Sequence, residues 1–140
     1  MGSRRAPAVV EQNTQKQQVI LIIEDDPEIG FVLLTALRQE TTYDPLLVPD
    51  GEIALRLLAR RTPHLVIVDY QLPGMNGLDV ADHIRSMNGL EQVPLLMISA
   101  NLPQAELAQR HLPGLSKPFE IVTLLTAIEH LLSASVGTWR

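Results

Sequence analysis

Polar and charged residues close several short apolar stretches of this sequence and are the side chains best placed to do chemistry. They are, in chain order, Glu24 with Asp25, then Asp69, Ser99 and Lys117. A carboxylate buried alone is strongly unfavourable, so acids at these positions have to be solvated or paired with cations. Three gathered carboxylates repel one another, and a single lysine supplies only part of the compensating charge. The set therefore indicates a site that binds a cation.

Phosphoryl transfer assisted by a divalent cation is the chemistry that this set suits. The possible ligands are oxygens, which Mg²⁺ prefers in an octahedral shell of carboxylates, carbonyls and waters. With Mg²⁺ on one side of Asp69 and the Ser99 hydroxyl and Lys117 ammonium on the other, the carboxylate could accept a phosphoryl group, because that reaction needs mainly an aligned nucleophile and cations. A carboxylate is already ionised at neutral pH and needs no histidine base. The four histidines show no ligand spacing, and we expect no part for them.

These residues need elements that bring separate stretches of chain together, and the apolar pattern predicts them. Continuous runs of branched apolar residues are typical of strands buried on both faces, as in a parallel sheet. The predicted strands cover residues 19–23, 46–48, 65–69, 95–98 and 115–116. Residues 71–77 follow the third strand directly, and their proline and two glycines indicate a loop beside Asp69.

Helical spacing of apolar residues predicts five helices that alternate with these strands. Their apolar faces are Ile29, Val32, Leu33, Ala36 and Leu37; Ile53, Ala54, Leu57 and Leu58; Leu78, Ala81, Ile84 and Met87; Ala105, Ala108 and Leu112; and Ile121, Leu124, Leu125, Ile128, Leu131 and Leu132. Asp26 is predicted to cap the first helix, with Pro27 at its first position. Asn101 is predicted to cap the fourth, which Pro103 and Pro113 limit to two or three turns. From Ser133 onwards we expect the chain to fray.

Strands alternating with helices predict an α/β domain with a parallel sheet, because each crossover returns the chain to the same end of the sheet. Sites in open sheets of this kind form outside the carboxyl ends of the strands. The polar residues at those ends are therefore expected to converge.

Length and composition indicate one domain in a reducing compartment. A chain of 140 residues with 46% hydrophobic side chains suits one domain with its own core. The absence of cysteine excludes disulfides and thiolate metal sites. Neither a spanning apolar run nor a secretory signal is present in the sequence. We therefore expect a soluble, cytoplasmic protein without a membrane partner.

Charge is distributed unevenly along the chain. The net charge is -5, yet residues 1–18 carry three basic residues and one acidic residue, so the remainder is at -7. An acidic domain argues against direct binding of DNA or RNA, which needs clustered basic residues. The polar residues 1–17 are predicted to be a disordered extension, residues 18–132 the domain, and residues 133–140 a tail.

The strand-end residues resemble the receiver domain of two-component response regulators. The resemblance rests on the Glu24-Asp25 pair, on Asp69 with Pro73 four residues later, on Ser99, and on Lys117 followed by Pro118. It runs from about Val19 to Leu132. The intervals of 44 residues from Asp25 to Asp69 and 30 residues from Asp69 to Ser99 are those expected of the family.

The resemblance implies a flavodoxin-like (βα)5 doubly wound sandwich, with a five-stranded parallel sheet in the order 2-1-3-4-5. It also implies that Asp69 takes a phosphoryl group from a phosphohistidine on a sensor histidine kinase or histidine phosphotransfer protein. Asp25 would bind Mg²⁺ directly, Glu24 through water and Gln71 through its backbone carbonyl. Such a domain is not an enzyme, although it assists its own phosphorylation and dephosphorylation.

The remaining roles follow from the same resemblance. Ser99 and Lys117 would bind the phosphoryl oxygens, and the Lys117–Pro118 peptide bond would be cis. The side chains of Gln71 and Asn101 would tune the lifetime of the acyl phosphate. Phosphorylation would then switch the binding of a downstream protein.

Two departures from the family pattern concern the switch. The family's usual aromatic residue three positions before the lysine is replaced by Gly114. The interval from Ser99 to Lys117 is 18 residues, about four fewer than expected, which removes roughly one turn from the fourth helix. Our hypothesis is that activation reshapes residues 101–116 instead of rotating an aromatic side chain.

Three functions are compatible with these residues. The first is a stand-alone phosphoacceptor of a two-component system or phosphorelay. The second is a pseudo-receiver that binds proteins independently of phosphorylation. The third is an enzyme such as an aspartyl-phosphate hydrolase, or a flavin-binding protein of similar fold. Such a hydrolase would carry a second acid where Gln71 stands, and no flavin phosphate loop follows residues 19–23. The first function fits the residues best.

Overall fold

A computed structural model describes residues 18–137 of the protein, and the surroundings of side chains up to residue 134. The predicted extension over residues 1–17 lies outside the described residues. Within residues 18–137 there are five strands, in chain order β1 (Val19–Ile23), β2 (Asp44–Val48), β3 (Leu65–Asp69), β4 (Leu95–Ser99) and β5 (Gly114–Ser116). They pair in parallel in the order β2-β1-β3-β4-β5, which confirms the predicted doubly wound sheet.

Five helices alternate with the strands. They are α1 (Pro27–Glu40), α2 (Gly51–Leu58), α3 (Gly77–Ser86), α4 (Gln104–Arg110) and α5 (Ile121–Gly137). The seven residues of α4 make it the shortest, as the interval between Ser99 and Lys117 predicts. Within residues 18–137, no helix combines the length and apolarity that crossing a bilayer requires.

The sheet is buried on both faces, as its continuous apolar strands predict. Leu21 and Ile23 of β1 point into one layer, where they pack with residues of α2, α3 and α4. Ile20 and Ile22 point into the other, where they pack with residues of α1 and α5. Since neither face is open to water, polar side chains of the strands are confined to the strand ends.

Side-chain caps fix where the first helices begin. The Asp26 carboxylate accepts hydrogen bonds from the backbone N–H groups of Glu28 (2.9 Å) and Ile29 (3.4 Å), which confirms it as the α1 cap. Asp50 caps α2 in the same way by accepting from Ile53 N–H (2.8 Å). These caps leave Glu24 and Asp25 outside the helix, at the tip of β1.

The prediction for α4 is wrong in two respects. Pro103, not Asn101, precedes the helix, and the backbone N–H of Asn101 donates to Ser99 Oγ. Ala105 and Ala108 are exposed, whereas Leu107 is buried. Apolar spacing misplaced the face because alanines suit either side of a short helix, and only the neighbouring elements determine which side is covered.

Two element boundaries also differ from prediction. The strand β2 begins at Asp44, two residues earlier than expected, and includes Pro45 as an edge-strand residue. The helix α5 continues to Gly137, although fraying was predicted from Ser133. No strong helix breaker occurs in its last turns before Gly137. The helix therefore continues beyond the last residue of the apolar periodicity, because the following residues have sufficient helix propensity.

The loop after β3 folds back tightly against the strand end. Gly77 N–H donates to the Tyr70 carbonyl (2.8 Å). A Cβ at position 77 would lie 2.5 Å from the backbone oxygen of Asp69 and 2.8 Å from Tyr70 Cα. Only glycine permits this approach, which holds the start of α3 beside Asp69.

Candidate functional site

The acids of β1 and β3 meet at the carboxyl edge of the sheet. Ile23 is paired with Val68, so Glu24 and Asp69, which follow these two residues, are neighbours. Carboxylate oxygens of Glu24, Asp25 and Asp69 lie within 4.8 Å of one another. Glu24 and Asp69 are 3% and 4% exposed, whereas Asp25 is exposed. The three residues form an acidic cluster that is buried on one side and open to solvent on the other.

Each oxygen of the two buried carboxylates has a donor within the protein. Lys117 Nζ donates to Glu24 Oε1 (3.0 Å) and to Asp69 Oδ2 (3.2 Å). The second oxygens are held by backbone, since Asp26 N–H donates to Glu24 Oε2 (3.1 Å) and Gln71 N–H to Asp69 Oδ1 (3.1 Å). This arrangement fixes both carboxylates before any ligand arrives.

Burial and mutual repulsion perturb the acidity of the cluster. Burial raises the pKa of Glu24 to about 7, with a further rise from Asp69 and an opposing effect of Lys117. Burial alone would lower the pKa of Lys117, but its hydrogen bond with Glu24 and the charges of Glu24 and Asp69 raise that pKa above its usual value. Three carboxylates and one ammonium leave two negative charges without compensation when all are ionised. The cluster therefore favours a divalent cation or a proton.

The residues of β4 and β5 complete the same edge. Asp69 is paired with Ile98, and Ser99 with Ser116. Lys117 N–H donates to the Ser99 carbonyl (2.9 Å), which places the lysine directly beyond Ser99. The Lys117–Pro118 bond is cis, as predicted.

Ser99 is fully buried, and its hydroxyl has a defined partner. Its side chain is 0% exposed, and Oγ accepts a hydrogen bond from Asn101 N–H (3.0 Å). Among residues whose burial is described, the buried polar or charged side chains are Glu24, Asp69 and Ser99. All three belong to the residues that were predicted from the sequence to form the site. The buried polar side chains of the described domain are therefore concentrated at the carboxyl edge of the sheet.

A cavity of about 310 Å³ opens onto the acidic cluster. Its lining residues are Glu24, Asp25, Asp26, Ile29, Asp69, Gln71, Ala100 and Lys117. Gln71 is exposed and lines the cavity, whereas neither Asn101, which is exposed, nor Gly114 of β5 lines it. The structure thus brings the predicted ligands and Lys117 together and leaves the predicted switch position outside.

The donor set fits Mg²⁺. All the convergent ligand atoms are oxygens, all three acids line the open cavity, and the uncompensated charge matches a divalent ion. Thiolate or imidazole ligands, which would favour other metals, do not line this cavity.

An apolar groove of about 430 Å³ lies beside the site and was not predicted from the sequence. Val32 of α1 lines it and is 53% exposed, and Phe119 and Ile121 line its other wall. Ile29, Ala100 and Lys117 line both this groove and the acidic cavity. Spacing grouped Val32 with the packed residues of α1, but the structure leaves Val32 exposed while Leu33 and Leu37 are buried.

Two leucines stand against Gly114. A Cβ at this position would lie 2.9 Å from Leu107 Cδ1 and 3.1 Å from both δ-carbons of Leu102. Neither leucine was predicted to have a role, because neither has a distinctive spacing in the sequence. The only signal available was the absence of a side chain at Gly114.

Comparison with known families and proteins agrees with this geometry. The family described as response regulator receiver domain matches residues 20–129. The DNA-binding response regulator MtrA of Mycolicibacterium smegmatis is 39% identical over 84 residues, which cover 60% of this chain and 35% of that protein. The sensor histidine kinase TmoS of Ectopseudomonas mendocina is 29% identical over 135 residues, or 93% of this chain and 14% of the kinase. The chain spans about a third of the length of MtrA and of the transcriptional regulatory protein BaeR of Escherichia coli.

Solved structures give the same result. The receiver domain of a sensor histidine kinase from Pseudomonas aeruginosa, with a magnesium ion in its active-site cleft, has a TM-score of 0.77 and 28% identity, covering 84% of this chain and 99% of that one. A receiver domain protein from Methanospirillum hungatei has a TM-score of 0.81 at 18% identity, covering 88% and 99%, and supports the fold alone. The matched residues 20–129 include the whole acidic cluster, Ser99 and Lys117.

Proposed function

The chain belongs to the response regulator receiver domain family, and from that premise we propose that Asp69 is the phosphoacceptor of a two-component system or phosphorelay. The observation that carries the proposal is the double hydrogen bond of Lys117 Nζ to Glu24 and Asp69 within a cluster of three acids. The Asp69 carboxylate is fixed at both oxygens, yet it lines an open cavity. It is therefore an aligned nucleophile that a donor can reach.

The proposed step moves one phosphoryl group between two proteins. An Asp69 oxygen forms a bond to phosphorus as the bond from phosphorus to a donor imidazole nitrogen breaks, and that nitrogen keeps the electron pair. The Lys117 ammonium lies 3.2 Å from Asp69 Oδ2 and can neutralise phosphoryl oxygens. The Ser99 hydroxyl accepts a hydrogen bond from Asn101 N–H and still has its own proton to donate to another phosphoryl oxygen.

Mg²⁺ is the cofactor that the cluster suits. Asp25, Asp69 and the Gln71 backbone carbonyl would hold it directly, and Glu24 through water. When bound, it supplies positive charge to the phosphoryl oxygens and neutralises the excess charge of the acids. Since Glu24 and Asp69 are already hydrogen-bonded, they lose little freedom on binding the ion.

The domain acts on itself more than on a substrate. Its own side chains promote both phosphorylation of Asp69 and the later hydrolysis of the acyl phosphate. Gln71 is exposed and lines the cavity, and the exposed Asn101 follows Ala100 of the cavity lining, so both can tune access of water to the phosphoryl group. Replacing either residue should change the lifetime of phosphorylated Asp69 without abolishing its formation.

The donor is a phosphohistidine-bearing protein, a sensor histidine kinase or a histidine phosphotransfer protein, that seats on the apolar groove. A donor protein has to cover the cavity mouth, and the groove shares Ile29, Ala100 and Lys117 with that cavity. Val32→Ser should slow transfer from a phosphorylated donor protein by about tenfold, the effect of a hot-spot contact. Ile53→Ser on α2, across the sheet, is the control. Labelling by a small phosphodonor should be unchanged in both, and equal slowing in the two variants would contradict the docking surface.

Intact-mass spectrometry tests the acceptor directly. After incubation with Mg²⁺ and acetyl phosphate, the protein should gain one phosphoryl group, and Asp69→Asn should gain none. Asp50→Asn is the matched control, because asparagine caps α2 as well as aspartate does and the site is untouched. Labelling of Asp69→Asn would overturn the assignment. A protein that stays unlabelled but still binds partners would be a pseudo-receiver, an interaction module independent of phosphorylation.

A further inference from the structure

The carboxylate of Asp26 lines the acidic cavity as well as capping α1. The backbone N–H groups of Glu28 and Ile29 both donate to its Oδ1. Within the described residues, no donor binds its second carboxylate oxygen, Oδ2. Asp26 is exposed, so it adds a charge to the wall of the cavity that the cap alone does not use.

The position of this charge is fixed in two ways. Turning the carboxylate away from the cavity would leave N–H groups of the first turn of α1 without their acceptor. The backbone of Asp26 is held as well, since its N–H donates to Glu24 Oε2 (3.1 Å). Asp26 therefore keeps its charge beside the acidic cluster.

The groups that line the cavity have an excess of negative charge. Four carboxylates, those of Glu24, Asp25, Asp26 and Asp69, stand against the single ammonium of Lys117. With all five groups ionised the net charge is -3, and it would be -1 with Mg²⁺ bound. Without the charge of Asp26, the cavity with Mg²⁺ would be neutral. Asp26 is thus the acid that makes the cavity repel an incoming anion.

Phosphoryl donors differ in the charge that they bring to such a cavity. Acetyl phosphate is a dianion at neutral pH, whereas phosphoramidate carries an ammonium group on its phosphorus and is a monoanion. A phosphohistidine can likewise carry a proton on its imidazole ring. Because repulsion is proportional to the product of the charges, one additional carboxylate slows a dianion more than a monoanion.

From these contacts and charges we propose that Asp26 is a specificity-determining residue for the phosphoryl donor. Its charge disfavours acyl phosphates and favours donors whose phosphoryl group is bonded to a positively charged nitrogen group. This specificity rests on the proposed function, since it concerns transfer to Asp69. With phosphoramidate, an Asp69 oxygen bonds to phosphorus as the phosphorus–nitrogen bond breaks, and ammonia leaves with the electron pair. With acetyl phosphate, acetate leaves with the electron pair of the broken phosphorus–oxygen bond.

The rates of Asp69 phosphorylation by the two small donors test this specificity. Intact-mass spectrometry follows the full chain at pH 7 in saturating Mg²⁺. Asp26→Asn preserves the cap and should react about tenfold faster with acetyl phosphate but only about threefold faster with phosphoramidate, in keeping with the charge of each donor. Both gains should shrink at high salt, which screens the charge.

Mg²⁺ affinity gives a second measurement that does not depend on phosphorylation. Because the ion is a dication, loss of the Asp26 charge should weaken its binding by about tenfold in isothermal titration calorimetry. Asp50→Asn is the matched control for both measurements. Asp50 caps α2 through the same kind of contact and carries the same charge, but it does not line the cavity. Its replacement should change the two rates and the Mg²⁺ affinity by less than about twofold.

The outcomes distinguish the donor specificity from the acceptor assignment. Equal changes with the two donors in Asp26→Asn, or an unchanged Mg²⁺ affinity, would overturn the role of Asp26 and leave Asp69 as phosphoacceptor. Failure of both donors to label the unaltered protein, or labelling of Asp69→Asn, would overturn the acceptor assignment and the specificity with it. Gains that follow the donor charge and are absent from Asp50→Asn would support both.

Discussion

The carboxyl edge of the sheet has two parts that are held by different forces. At the tips of β1 and β3, Glu24 and Asp69 are fixed by hydrogen bonds and by the charge of Lys117. Beyond β4, residues 100–113 are held mainly by Leu107 and Leu112 in the core and by Leu102 against Gly114. The first part is electrostatic and sensitive to pH, and the second depends on packing. Chemistry and its readout should therefore be separable by mutation.

The largest effect is expected from a variant that removes Lys117, the only cation that contacts the buried carboxylates among the described residues. Lys117→Met leaves Glu24 and Asp69 without their shared donor and should lower the free energy of unfolding by about 3 kcal/mol at pH 8. The loss should be smaller at pH 6, where Glu24 can be protonated. Urea unfolding measures both values.

The control for that variant is Arg61→Met, which breaks an exposed pair with Asp44 at 4.0 Å. It should change the unfolding free energy by less than about 0.5 kcal/mol, because exposed ion pairs contribute little. Equal losses in the two variants would contradict the electrostatic account of the β1 and β3 tips.

The next effect belongs to the packed part of the edge. Leu107→Ala removes a buried side chain and should cost about 3 kcal/mol of unfolding free energy through lost burial and a cavity. Labelling of Asp69 by acetyl phosphate should persist, since Leu107 does not line the acidic cavity. Val122→Ala, at a side chain that is 64% exposed, is the control and should cost little. Loss of labelling in folded Leu107→Ala would show that the two parts are not separable.

Titration of Glu24 should change the free energy of unfolding by about 2 kcal/mol between pH 5 and pH 8. Its pKa of about 7 in the folded protein lies above its usual 4.5, so the folded state binds the proton more tightly. The contribution to stability is complete below about pH 4.5 and is lost as the pH rises through 7. Without divalent ions, the protein should therefore unfold more easily at pH 8 than at pH 5, by about 2 kcal/mol for this group.

Glu24→Gln isolates that contribution. The variant should lose most of this difference between pH 5 and pH 8 in urea unfolding. Mg²⁺ binding by the unaltered protein should weaken as the pH falls through 7, because the ion competes with a proton. The assignment would fail if Glu24→Gln kept the full pH dependence of the parent.

The smallest effect is expected from a substitution at the carboxyl end of α4. His111 ends this helix with φ of 55°, a left-handed conformation that favours glycine. His111→Gly should stabilise the protein by about 1 kcal/mol through relief of this strain. Gly114→Ala, which forces the leucines apart, should change stability in the opposite direction. Thermal unfolding of the two variants gives the comparison, and destabilisation by His111→Gly would contradict it.

The sequence predicted the acidic part of the edge better than the packed part, for physical reasons. Asp69 and Glu24 could be found because a carboxylate that ends an apolar run is conspicuous, and because parallel strands share one carboxyl edge. The sequence predicted that Lys117 would lie near these acids. It could not predict the two hydrogen bonds, because the partners lie 93 and 48 residues away along the chain.

The packed part could not be found in this way. Leu107 and Leu102 are ordinary residues, and their position over Gly114 depends on how a seven-residue helix sits on its neighbours. Asn101 was predicted as a helix cap from its type alone, but the Ser99 hydroxyl provides a competing partner for its backbone. A short helix with alanines on several sides has no periodicity strong enough to fix its buried face.

The two rims of the sheet determine which kind of contact with another protein is available. The strand β5 has three residues, and the strand β2 at the opposite rim contains Pro45, which has no backbone N–H to offer. Neither rim presents a long ladder on which an added strand could extend the sheet. Partner proteins should therefore bind side chains on its helices and loops. Binding by addition of a strand to the sheet would be inconsistent with these two edge strands.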